Sequence, residues 1–171
     1  MNRLIGIITF KPPVYREVAH DPAALTPAAI VVVVTIVTVL LSSALGTNPL
    51  GLAATVATSL TSVLINWLLA SALTAFVANQ FFRGQSSTAE LLRIFGYTFA
   101  FQLLVIIPFV GALAAAILAI IATVLAIRES AGFDTQKAVL TAIISGVILF
   151  VLGLVVASVV GSVFGAVLFG G

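Results

Sequence analysis

The most constraining feature of this chain is a long uncharged stretch that is broken near its middle. Arg93 and Arg128 enclose 34 residues without a charged side chain, and Pro108 and Gly111 interrupt them. One straight helix at ~1.5 Å per residue would measure ~51 Å, well beyond the ~30 Å hydrocarbon layer of a membrane. Because proline lacks a backbone donor and glycine tolerates a turn, the sequence predicts a transmembrane hairpin. Both arginines then lie on one side of the membrane.

The composition places the whole chain in a membrane. Hydrophobic residues make up 62% of the sequence and charged residues 7%, far below the ~25% of a soluble domain. Apolar runs such as residues 30–34 (IVVVV) lack the alternation of a transmembrane β-barrel, so the predicted fold class is an all-α integral membrane protein. The chain has no cysteine, which excludes disulfides, thiol catalysis and cysteine metal sites. Its seven basic residues are dispersed, so no nucleic-acid binding is predicted.

The charges are confined to three segments of the sequence. All seven basic and all five acidic residues fall within residues 3–21, 83–93 and 128–137. Basic residues favour the cytoplasmic side, so this pattern predicts five transmembrane helices with the N-terminus cytoplasmic and the C-terminus outside. We read the last apolar stretch, after Ala138, as one long span; the alternative is a further hairpin, which would give six spans.

The first 24 residues are predicted to form a cytoplasmic interfacial segment, followed by a five-helix transmembrane domain at 25–171. Four apolar residues fit one face of a short helix that would lie in the membrane interface: Leu4, Ile5, Ile7 and Ile8. A second short helix is expected to start at Pro13 and end before Asp21, since proline favours the first helical turn. The alternative interpretation is a disordered tail.

Local signals mark the ends of the later helices. Ser87 and Glu90 have the spacing of a capping box at the start of the third span. Gly132 is expected to end the fourth span in a left-handed conformation, and Asp134 or Thr135 to begin the fifth.

Small residues recur every four positions in the last two spans, which is typical of close helix contacts in membranes. The fourth span contains Gly111, Ala115 and Ala119, and the fifth contains Gly153, Ala157, Gly161 and Gly165. We predict that these two ridges are helix-packing surfaces, within the fold or between protomers.

Three uncharged polar side chains are expected inside the membrane, namely Asn66, Tyr97 and Gln102. An asparagine in hydrocarbon requires a hydrogen-bonding partner, most simply a hydroxyl or carbonyl group of a neighbouring helix. The alternative interpretation places these three side chains along a transport path.

Catalytic chemistry is not indicated by the sequence. Glu17 and His20 have the Glu-x-x-His spacing of di-iron bundles, but such sites need a second motif and the chain has only one histidine. We interpret this pair as a solvated helix face, with an axial ligand role for His20 as the alternative. No catalytic, cofactor-binding or metal-binding residues are therefore predicted, and no cofactor.

Four stretches in order give the chain a family resemblance: Trp67, residues 81–84 (FFRG), 92–97 (LRIFGY) and 128–138 (RESAGFDTQKA). They resemble the Yip domain family, membrane proteins first named for interacting with Ypt/Rab GTPases, and the opening residues look like its prokaryotic branch. The resemblance implies five spans and a cytoplasmic N-terminus. It assigns the family motif to six residues, namely Arg93, Gly96, Tyr97, Gly132, Lys137 and Ala138.

Two functions follow as hypotheses. The first is a non-enzymatic multi-pass scaffold in a prokaryotic inner membrane, whose partners are lipid and other membrane proteins or copies of itself. It could serve as an accessory subunit of a larger complex or as a membrane-organising factor. The second is a small-solute channel or transporter lined by Asn66, Tyr97 and Gln102.

Overall fold

The protein is a bundle of helices, as the sequence predicts. The structure, a computed structural model, describes residues 2–43, 49–107 and 109–169, and the side chains of these except 39, 41–43, 49–58, 157 and 159–169. Seven α-helices occur in the described residues: α1 (Asn2–Ile8), α2 (Pro12–His20), α3 (Leu25–Ser43), α4 (Pro49–Phe82), α5 (Thr88–Thr98), α6 (Gly111–Ala131) and α7 (Thr135–Phe169). A 3₁₀ turn, Pro22–Ala24, precedes α3, and a 3₁₀ segment, Phe99–Ile106, continues α5.

Several of these helices can cross a membrane. Among the described residues, four stretches are long and apolar enough to do so: Ser59–Phe82, Thr88–Ile106, Gly111–Ala131 and Thr135–Val156. The number becomes five if α2 and the following Pro22–Thr38, which meet at 99°, are counted as one bent span. The chain is thus an all-α multi-pass membrane protein. Its orientation in the membrane stays a prediction.

The predicted hairpin is present between the 3₁₀ segment and α6. Phe109 has a positive φ of 65°, which turns the chain back. A Cβ atom on Gly111 would lie 1.9 Å from the carbonyl oxygen of Leu104, so only glycine allows this close approach. The prediction of a break here is confirmed, and the two limbs pack against each other along their length.

Hydrogen bonds cap the helix ends that the sequence marks. The Ser87 hydroxyl accepts from the Glu90 amide and the Glu90 carboxylate accepts from the Ser87 amide, which is the predicted capping box. Gly132 ends α6 with φ 67°, and the Asp134 carboxylate accepts from the Lys137 amide at the start of α7. These predicted boundaries are confirmed.

The N-terminal segment packs onto the bundle. Helices α1 and α2 contact α5, and α2 also contacts α6. Ile7, Tyr15 and Val18 are fully buried, whereas Ile5 and Ile8 are 50% and 42% exposed. Of the four apolar residues of α1, Ile7 turns inward and joins the core, and the interfacial role of the segment stays a prediction. A division of the chain at residue 24 stays a prediction, and the core contains residues on both sides of it.

Helix α7 is the longest and least covered element. Its backbone is continuous over 35 residues, as the one-span reading of the last apolar stretch requires. Only 11% of its most apolar window is buried within the chain, against 28–39% for the other three spans. Most of the described surface of α7 thus faces outward from this protomer.

Candidate functional site

The charged segments meet at one end of the bundle, which we call the charged end. The α4–α5 loop touches the α6–α7 loop, because a Cβ atom on Gly84 would lie 2.6 Å from the Phe133 ring. The Phe82 and Phe133 rings also meet edge to face, with centroids 6.2 Å apart. Helix α2 lies across the end of α6. The three segments that the sequence separates are therefore one surface in the fold.

A nearly buried carboxylate joins α2 to α6. Glu129 is 7% exposed, and its Oε2 accepts from Nη2 of Arg16 at 2.9 Å. Its Oε1 accepts from Nε and Nη2 of Arg128 at 3.0 and 2.8 Å. A buried carboxylate is costly unless it is paired, and here two guanidinium groups satisfy both oxygens.

Arg3 connects α1 to α2 by ion pairs. Its Nε donates to Glu17 at 2.8 Å, and its Nη1 lies 2.6 Å from an oxygen of Asp21. The other oxygen of Asp21 accepts from the Ala23 amide at 2.9 Å, capping the 3₁₀ turn. The bond from Ala23 and the charge of Arg3 hold the pKa of the Asp21 carboxyl below its usual range.

Arg93, on α5, ties the transmembrane bundle to α2. Its Nη1 donates to the backbone oxygen of Ala19, near the end of α2. Its Nε is buried and has no hydrogen-bond partner in the described part of the chain. Tyr97, one turn further along α5, is 3% exposed and lies near Arg3. Two motif residues therefore lie directly beneath the N-terminal helices.

Gly96 marks the point where α3, α4 and α5 meet. A Cβ atom there would lie 2.7 Å from Cβ of Ala28 and 3.0 Å from the Trp67 ring. The Trp67 indole nitrogen donates to the backbone oxygen of Leu92 at 3.0 Å. Glycine is required by this packing, and the tryptophan hydrogen bond fixes α4 against α5.

The second motif region forms the start of α7. Gly132 adopts the left-handed conformation that ends α6, and nothing lies within 4 Å of a Cβ built on it. Lys137 is exposed, whereas Ala138 is fully buried against the core. The motif thus supplies a turn, an exposed cation and a small packing residue at the charged end.

Comparison with known families agrees with this arrangement. The family model described as Yip1 domain matches residues 5–169. The chain belongs to the Yip1 domain family. No curated protein and no solved structure matches it. The Yip1 domain here includes α2, the packed junction around Gly96 and the second half of α1, from residue 5 onward.

The predicted intramembrane polar residues of this Yip1 domain do not share one place. Asn66 and Gln102 both line a cavity of about 390 Å³ between α3, α4 and the 3₁₀ segment. Tyr97 does not line it, and lies instead beneath the N-terminal helices. The three side chains therefore form two separate groups.

The two small-residue ridges differ in their surroundings. On α6, Gly111 and Ala115 are buried, while Ala119 is partly exposed at a groove beside α7. On α7, Gly153 is exposed and nothing lies within 4 Å of a Cβ built on it. The surroundings of Ala157, Gly161 and Gly165 lie outside the described side chains. A packing role for the α7 ridge stays a prediction.

Glu17 and His20 line one cavity, but each has a hydrogen-bonding partner of its own. Glu17 pairs with Arg3, and Nδ1 of His20 donates to the Arg16 backbone oxygen at 2.8 Å. Within the described residues, no group of three or more potential ligands is placed to hold a metal ion. The Arg16–Glu129 pair was not predicted from the sequence. The one signal for it is that acidic and basic residues occur in the same segments.

Proposed function

We propose that this Yip1-domain protein is a non-enzymatic membrane scaffold that acts by binding other membrane proteins or copies of itself. It would serve as an accessory subunit or a membrane-organising factor in a prokaryotic inner membrane. The observation that carries the proposal is the surface of α7, of which only 11% is buried in the most apolar window. The uncovered surface of such a helix can pack against a helix of another membrane protein.

The chemistry of the charged end supports association rather than catalysis. Glu129, Glu17 and Asp21 each pair with an arginine. The pairs of Arg3 connect α1 to α2 and its C-terminal cap, and the Arg16–Glu129 pair connects α2 to α6, so these bonds hold helices together. A general acid or base needs a group free to exchange a proton with a substrate, and these carboxylates are occupied by guanidinium groups.

The test is the oligomeric state of the purified protein. Native mass spectrometry in mild detergent and in lipid nanodiscs should show the chain bound to itself or to co-purified membrane proteins. Gly153→Leu should weaken self-association roughly five-fold or more, because the new side chain would keep two helices apart. The monomer itself has open space at this position.

The matched control is Val155→Leu. Val155 is 53% exposed and lies ~200° around α7 from Gly153, so its enlargement should leave association unchanged. A strictly monomeric protein in every gentle detergent and in nanodiscs, with no co-purified partner, would contradict the proposal.

A small-solute channel is the second candidate, favoured by one observation. Asn66 and Gln102 line a common cavity together with Thr35 and Ser59. Solute flux into proteoliposomes separates the two functions. The scaffold should give no flux above protein-free vesicles, whereas flux that disappears in Asn66→Leu would favour the channel.

A further inference from the structure

Two hydroxyl groups in the bundle behave differently from their neighbours. Hydroxyls in apolar helices usually donate to a carbonyl three or four residues earlier. Among the described residues, seven in the apolar helices do so: Thr38, Ser71, Thr98, Thr123, Ser130, Thr141 and Ser158. Thr35 and Ser145, only 2% and 3% exposed, have no hydrogen-bond partner for their hydroxyls among the described residues. Both hydroxyl oxygens are closed to solvent as they stand, so rotation of the side chain decides whether each bonds to its own helix or to another molecule.

Each of these two residues lines a cavity. Thr35 borders the cavity of about 390 Å³ that also contains Gln102, and Ser145 borders a second cavity of about 210 Å³ between α4, α5, α6 and α7. Asn66 and Phe99 line both cavities, so the two meet at the Asn66 amide. Three further hydroxyl residues border the second cavity: Thr74, Thr98 and Thr123.

The cavities lie deep in the membrane. Thr35 and Ser145 are each ten residues from the start of their helix, at Leu25 and Thr135. Ten residues correspond to ~15 Å, which is half of a ~30 Å hydrocarbon layer. An unpaired hydroxyl at that depth has no bulk water to bond with, and its burial is costly. Two such groups beside cavities indicate that a hydrogen-bonding molecule occupies the space.

We propose that the two cavities form one binding site for small neutral hydrogen-bonding molecules, either water or a small polyol such as glycerol. The hydroxyls of Thr35 and Ser145 and the amide of Asn66 are its anchors. The residues lining both cavities carry no charge, so the site does not suit an ion. Each cavity has room for several water molecules. The site does not depend on the association proposed above.

The first test is the sign of a change in melting temperature. If a bound molecule bonds to the hydroxyls, Thr35→Val and Ser145→Ala each remove a bond and should lower the unfolding midpoint by ~2–4 °C. If the cavities are dry, the same changes remove an unsatisfied polar group and should raise the midpoint. Both substitutions keep or reduce side-chain size, so the fold is not overpacked.

The control variant is Thr38→Val on the same helix, whose hydroxyl donates to Val34 at 2.7 Å. A midpoint for Thr35→Val and Ser145→Ala equal to or above that of Thr38→Val would overturn the proposal. A second measurement is independent of stability. In proteoliposomes, solid-state NMR should show magnetisation transfer from water or glycerol to the Asn66 side-chain amide.

The source of the ligand is decided by adding glycerol, with sucrose, a larger polyol, as the control. If glycerol raises the unfolding midpoint of the wild type more than sucrose does, and this difference is lost in the Thr35→Val/Ser145→Ala double variant, the bound molecule is a polyol. If glycerol and sucrose change the midpoint equally and magnetisation is transferred from water to Asn66, the bound molecule is water. Transfer from neither molecule would show that the site is not occupied and would overturn the proposal.

Discussion

The charged end is covered within the chain, whereas the outer surface of α7 is not. At the charged end, ion pairs and backbone hydrogen bonds connect α1 and α2 to α5 and α6, and the residues between them are fully buried. Along α7, large apolar side chains such as Ile143 and Phe150 are more than half exposed. One region is closed within the chain, while the other requires lipid or another protein to cover it.

This difference follows from what holds helices together in a membrane. Lipid tails are as apolar as leucine, so apolar side chains alone give helices little reason to associate. Close packing at small residues and hydrogen bonds to polar groups supply the attraction instead. The chain has both at the junction of Gly96, Ala28 and Trp67. On the described surface of α7, small residues such as Gly146 and Gly153 are present, but nothing lies within 4 Å of a Cβ atom built on either.

Gly96→Leu should have the largest effect on stability, because it disrupts the packed junction. The leucine side chain would meet Ala28 and Trp67 at a site where even a Cβ atom is 2.7 Å from its neighbour. Overpacking of this kind lowers the free energy of unfolding by about 1–3 kcal/mol or more. Thermal unfolding in detergent, followed by circular dichroism, measures the change.

The matched variant, measured on the detergent-solubilised monomer, is Gly153→Leu on α7, where nothing lies within 4 Å of a Cβ atom. Its stability should equal or exceed that of the wild type, since leucine favours a helix by up to ~1 kcal/mol over glycine. Similar losses in the two variants would mean that the two regions are packed alike.

Tyr15→Phe should have a smaller effect, confined to the charged end. The Tyr15 hydroxyl donates to the Ile7 backbone oxygen at 2.9 Å, while the Phe10 amide also donates to that oxygen. Because the oxygen keeps one partner, the loss in free energy of unfolding should be about 1 kcal/mol. Calorimetry at neutral pH measures it.

Alkaline pH provides a second readout of this tyrosine. Burial raises the pKa of the Tyr15 hydroxyl above its ordinary value of 10.0. The stabilisation is therefore full below pH 10 and is lost as pH rises above it. The difference between wild type and Tyr15→Phe should shrink over that range. A constant difference from pH 8 to pH 11 would contradict the burial of this group.

The smallest expected effect is the response of the N-terminal helices to acid. The pKa of Asp21 is lowered by its bond from Ala23 and by Arg3, so its stabilisation is present above pH 3.8 and is lost as pH falls through the lower folded value. A spin label at Ile8→Cys, in a chain without cysteine, should become more mobile over that acidic range. Adding Asp21→Asn to the labelled variant should remove this acid-induced increase in mobility. An unchanged increase would show that another group titrates.

Much of the fold could be predicted because its signals are local. Pro108 and Gly111 indicate the hairpin, Ser87 and Glu90 the start of α5, and Gly132 the end of α6. Each depends on residues within a few positions of one another, where backbone geometry leaves few choices.

Contacts between distant parts of the chain could not be predicted in the same way. Arg16 and Glu129 are 113 positions apart, and nothing in either segment specifies the partner. The apolar residues of α1 give an ambiguous signal, because the same pattern suits a membrane interface and a protein core. Ile7 entered the core where Gly6 lets Val14 approach closely.

The ion pair between Arg16 and Glu129 also determines the order in which the molecule can be completed. A ribosome adding ~5–20 residues per second needs roughly 6–23 s to travel the 113 positions between them. Helix α2 can contact α5 earlier, through Arg93 and the backbone oxygen of Ala19, but its bond to Glu129 waits until α6 has been made. The closing of the Arg16–Glu129 pair therefore reports that α6 has arrived.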